Sequence, residues 1–187
     1  MTAQLRRRGF LLEYATLGWN VVGVAVLAVA ALAARSVALV GFGLDSLIEI
    51  GASIVVVWEL SGTGEDRQRR ALRLIGYAFL GLAGYLVAQS TWALVAGHRA
   101  GHSPAGITWT AATAVAMFAL AAGKAATGAR LGNPVLRTES RVTFIDGLLA
   151  VAVLLGLVAG GALDWWWADP AAGYLLAGYA AREAWAS

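Results

Sequence analysis

Residues 41–60 read GFGLDSLIEIGASIVVVWEL, a run apolar enough to lie in a bilayer yet interrupted by Asp45 and Glu49. A helix rising 1.5 Å per residue needs about 20 such residues to cross a hydrocarbon core of ~30 Å. The two acids stand four residues apart and therefore share one helical face. An ionised side chain at that depth costs at least about 2.5 kcal/mol on the mildest insertion scale. Two like charges stacked on one face call for a cation between them, a shared proton, or hydrogen bonds to another helix.

Outward from this run, apolar stretches alternate with polar punctuation along the whole chain. One spans about 11–34 and is divided from the next, about 37–60, by Arg35 and Ser36; SGTGEDRQRR (61–70) ends the second. Further stretches cover about 72–97, 107–128, 142–162 and 167–185, with HRAGHSPAG (98–106) and ARLGNPVLRTESR (129–141) as connecting loops. The pattern predicts an all-α, polytopic membrane protein: one transmembrane domain, residues 1–187, built as a six-helix bundle. Composition points the same way, with 59% hydrophobic and 13% charged residues. A soluble domain carries about twice that charge fraction. The basic start and apolar run of the N-terminus look like a signal peptide, but the run is too long and lacks a cleavage site, so it reads as the first span.

Lysine and arginine set the expected orientation. Twelve fall on one side: Arg6, Arg7, Arg8, Arg67, Arg69, Arg70, Arg73, Lys124, Arg130, Arg137, Arg141 and Arg182. Only Arg35 and Arg99 fall on the other. The positive-inside rule then places both termini in the cytoplasm, with the chain in the cell membrane, the inner one if bacterial. The sequence pI near 9.7 reflects this bias rather than a nucleic-acid partner. Trp109, Trp165, Trp166 and Trp167 are expected in an outer interfacial belt, and Trp58 and Trp185 in an inner one, because indoles favour the headgroup region.

Three acids lie well inside spans: Asp45 and Glu49 in the second and Asp146 in the fifth, with no basic residue expected at their depth. If those spans pack together, the three carboxylates converge near the midplane, and converging oxygens suit a divalent cation. The alternative is that they are protonated and hydrogen-bonded between helices. Asn20, Tyr14 and Thr143 either add neutral oxygens to the same cavity or make interhelical hydrogen bonds. Glu139, seven residues before Asp146, shares its face about 10 Å away. It reads as a carboxylate at the mouth of the site or a relay, or as a loop acid pairing Arg137 or Arg141. His98 and His102 read as a solvated loop or as an outer metal-capture pair. With no cysteine and no serine–histidine or histidine-rich constellation inside the membrane, neither a thiolate centre nor an enzyme is expected.

The runs at 41–60, RVTFIDGLLAVAVLLGLVAG (141–160) and DPAAGYLLAGYAAREA (169–184) resemble spans two, five and six of the cation diffusion facilitator family, and EYATLGWNVVGVAVL (13–27) is similar to its first span. The resemblance implies a six-helix homodimer that exports zinc, manganese, iron or a similar divalent ion in exchange for protons. The ion is substrate, and no prosthetic group is implied. The transport site of that family takes two residues four apart on each of spans two and five. Here Asp45 and Glu49 match the first pair and Asp146 the last position. Val142 stands where histidine or aspartate is common and cannot be a ligand. A carboxylate-only set leans away from zinc, which favours nitrogen and sulfur, and toward manganese or ferrous iron. The 187 residues include neither the cytoplasmic domain many members carry after span six nor a histidine-rich loop. Dimerisation is therefore expected through the helices, where Gly76, Gly81 and Gly84 allow close packing. Two other readings remain: a metal-binding or accessory membrane protein that does not transport, and a small proton-coupled exporter of organic cations.

Overall fold

Glycine, asparagine and proline stand together at 132–134, and this triplet folds the second half of the chain. In a computed structural model, which describes residues 2–34, 37–62, 64–97, 103–162, 165 and 167–186, Gly132 adopts the left-handed conformation (φ 62°) that ends a helix at little steric cost. Asn133 then accepts a hydrogen bond from the backbone N–H of Leu136 (2.8 Å), and Pro134 opens the next helix, where its missing N–H costs nothing. Ser103 and Pro104 play the same two roles at the start of the preceding helix, Ser103 accepting from Gly106 N–H at 3.1 Å.

Six helices make up the described residues: α1 (Thr2–Ala34), α2 (Val37–Leu60), α3 (Glu65–Ala96), α4 (Pro104–Leu131), α5 (Pro134–Ala162) and α6 (Ala168–Ala186). Several run beyond the apolar stretches, because arginine and glutamate sustain a helix as well as leucine does once it leaves the hydrocarbon. The consequence is largest at α5, which begins well before Val142. Most of the segment expected as a loop is helical, and Glu139 lies within a helix. His98, His102, Arg35, Arg99 and Trp166 fall outside the described residues.

Helix α1 packs against α2 and α4, and α5 against α4 and α2, which makes a four-helix group. Helix α3 pairs with α6, and that pair leans on α2 and α5. Arg6 ties α1 to the end of α2 by donating to the carbonyl of Leu60 (2.8 Å from Nε). Arg67 likewise donates to the carbonyl of Trp58 and lies 4.1 Å over its ring. The ring of Trp109 stacks on Trp19 at 5.1 Å between α4 and α1.

The distribution of polarity is that of a membrane bundle. Large apolar side chains such as Val29, Leu32, Val95 and Val115 face outward and are well exposed. A surface so apolar belongs in lipid. Four helical segments, Ala3–Ala33, Glu65–Ala96, Pro104–Leu131 and Pro134–Ala159, are long and apolar enough by themselves to cross a bilayer. Helix α2, with 24 residues, carries Asp45, Glu49 and Glu59. Those acids point inward, into the core the other helices enclose.

Candidate cation site in the bundle core

Three helices carry buried polar side chains, most of them recurring every three or four residues. They are Glu13, Thr16 and Asn20 on α1; Asp45, Ser46, Glu49 and Ser53 on α2; and Glu139, Ser140, Thr143 and Asp146 on α5. Helix α4 adds Thr113, Lys124 and Thr127. Such spacing lines one face of each helix, so the core of the four-helix group is a polar ladder inside an apolar shell.

The lower rungs centre on Lys124. Its side chain is fully buried, and three oxygens surround the ammonium: Glu139 Oε1 at 2.5 Å, Thr143 Oγ1 at 3.0 Å and Glu13 Oε2 at 3.1 Å. The turn at 132–134 explains the meeting. Lys124 precedes Gly132 by eight residues and Glu139 follows it by seven, so both stand about 11 Å above the turn on antiparallel helices. Ser53 on α2 donates to Glu139 Oε1 at 3.4 Å.

This corrects the sequence reading at two points. Lys124, counted at the cytoplasmic end of the fourth span, and Glu13, near the start of the first, both point into the bundle and are buried, so a basic residue does stand among the acids. Tyr14 does not reach the cavity either: its side chain is exposed and its ring stacks on Phe10 at 6.3 Å.

Thr143 links the lower rungs to the upper ones. It accepts from Lys124 and donates its one hydroxyl proton to Glu49 Oε1 at 2.5 Å. Above it Asp45 and Asp146 face each other across α2 and α5, and Glu49 lies close enough to interact electrostatically with them. Asn20 is buried on α1 and its amide donates to the carbonyl of Thr16 at 3.1 Å. Val142, one turn before Asp146, is buried and contributes no donor atom.

Among the described residues, six carboxylate oxygens of this core have neither a hydrogen-bond nor an ion-pair partner: both of Asp146, with Glu13 Oε1, Asp45 Oδ2, Glu49 Oε2 and Glu139 Oε2. Orphaned buried oxygens are costly and rare. Glu59, the remaining buried acid, lies at the end of α2 and is held by the amide of Asn133 at 3.0 and 3.2 Å. Five carboxyl groups thus face one ammonium. Among the described residues no three of the His, Cys, Asp and Glu side chains close on a single point as a finished ligand shell. Asp45 and Asp146 are together, while Glu49 is turned to Thr143.

A lipid-facing bundle with an acid-rich, cation-poor core is a membrane protein suited to holding positive charge. The chain belongs to the cation efflux family: the family pattern described as the cation efflux transmembrane domain matches residues 74–187, from α3 to the end of α6. The match includes Lys124, Glu139, Thr143 and Asp146 and begins after Asp45 and Glu49. No curated protein matches the chain. The protein is therefore a multi-pass membrane cation transporter, of a family whose members transport rather than catalyse.

The lysine–acid cluster was missed because a lysine near the end of a span ordinarily extends to the interface. The signal that finds it is the Gly132–Asn133–Pro134 turn, which sets Lys124 level with Glu139.

Proposed function

We propose that this transporter exports a divalent cation in exchange for protons, using Asp45, Glu49 and Asp146 as its substrate site. The observation that carries the reading is the imbalance of the core, five buried carboxyl groups against one ammonium, in a chain of the cation efflux family. Deprotonated, Asp45 and Asp146 offer facing oxygens from two helices, and the free Oε2 of Glu49 stands nearby. With Val142 in place of a fourth donor the set is all oxygen, which favours manganese or ferrous iron over zinc.

In this scheme the site loads from the cytoplasm, the side to which the positive-inside rule would assign both termini. The four-helix group then rocks to open outward, and protons displace the ion from the same oxygens. The working unit is a homodimer in the cell membrane, formed through the helices. Flux into vesicles tests the scheme: Asp45→Ala or Asp146→Ala abolishes cation uptake at normal expression. Uptake that survives both changes removes these residues from the mechanism. The loss of a donor at Val142 also favours a second reading, a metal-binding protein without transport. Binding without flux in the wild type identifies that case.

A further inference from the structure

Lys124 has no part in that cycle, yet the fold spends two buried acids on it. Its ammonium sits among oxygens from α1 and α5, supplied by Glu13, Glu139 and Thr143, all with fully buried side chains. The acids hold more acceptor capacity than one ammonium uses, since Glu13 Oε1 and Glu139 Oε2 have no partner. Ser53 adds a hydroxyl from α2. Two carboxylates and a hydroxyl around one point, with Ser53 supporting one of the carboxylates, are the donor chemistry of a hard metal ion.

We infer that Glu13, Glu139 and Thr143 form a second cation seat, below the Asp45–Glu49–Asp146 cluster, which this chain fills with its own Lys124 ammonium. The tethered ammonium keeps a second substrate ion out of the core and so sets the number of ions carried at one. Thr143 joins the two seats, accepting from Lys124 while donating to Glu49. The first seat rests on the function proposed above; the second stands on its own geometry.

Isothermal titration of the detergent-purified full chain with manganese tests this. One ion is expected for the wild type and for Lys124→Arg, which keeps the charge, and two for Lys124→Gln. Adding Glu13→Gln and Glu139→Gln to Lys124→Gln returns the count to one. A wild type that binds none, with a Lys124→Gln site lost in the triple variant, keeps this inference and overturns the transport-site reading. If Lys124→Gln folds only when purified in manganese, the ion has taken the place of the ammonium and the inference holds. It is overturned if the folded variant binds no more ions than the wild type, or if the variant fails to fold in manganese as it does in chelator.

Discussion

Replacing Thr143 with valine removes one hydroxyl at nearly constant volume, and the structure assigns that hydroxyl two jobs. It donates to Glu49 Oε1 at 2.5 Å and accepts from Lys124 at 3.0 Å. Lys124 keeps Glu139 and Glu13, so its loss is small. Glu49 loses the donor to its Oε1 and is left with both oxygens orphaned, since Oε2 already has no partner. A hydrogen bond to a charged group is worth about 1.5–3 kcal/mol, so thermal unfolding in detergent should show Thr143→Val destabilised by roughly 2 kcal/mol. Thr143 also fixes which way Glu49 points and leaves Oε2 free for a cation. Loss of a partner that orients a ligand typically weakens metal binding by about 10–100-fold. Titration with manganese should show that weakening in Thr143→Val and near wild-type affinity in Thr143→Ser. A valine variant that is destabilised yet binds within twofold of the wild type would reduce Thr143 to a packing residue and refute the reasoning.

Three further outcomes are expected. Val142→His supplies an imidazole one turn from Asp146, on a buried position, so competition titrations should show selectivity moved toward zinc over manganese by at least about tenfold. Gly128→Ala places a Cβ 2.9 Å from Arg137 Cγ and 3.0 Å from its backbone nitrogen. Overpacking there costs about 1–3 kcal/mol, read as a lower unfolding temperature, with Lys124 and Glu139 no longer level. A Cβ at Gly84 meets nothing within 4 Å; Gly84→Leu should therefore leave monomer stability unchanged while lowering the cross-linked dimer in membranes, if α3 lines the homodimer.

The upper part of the site could be read from the sequence because each of its acids breaks an apolar run, and apolar runs have few innocent uses for an acid. Asp45 and Glu49 share a face by spacing alone. What spacing could not give was which helix opposes them and how the neighbouring turns are built. By hydropathy Lys124 ends one span and Glu139 falls in the loop that follows, and only the caps at Gly132, Asn133 and Pro134 convert that loop into a tight hairpin. Glu13 was obscured for a related reason. Its helix begins at Thr2, so an acid that looks terminal by hydropathy stands three turns inside α1, where seven residues separate it from Arg6 and its contact with Leu60. Tyr14, its neighbour in sequence, turns outward by the same helical arithmetic, one residue being 100° of rotation.

Whether Asp45 and Asp146 hold the transported ion is read most directly by calorimetric titration. Detergent-purified wild type is titrated with manganese, ferrous iron, zinc and cadmium beside an Asp45→Ala, Asp146→Ala double variant. If these two carboxylates hold the ion, the wild type binds at least one of these ions, manganese or ferrous iron most strongly, and the variant binds none. A folded wild type that binds no ion, or a double variant that binds as the wild type does, would contradict it.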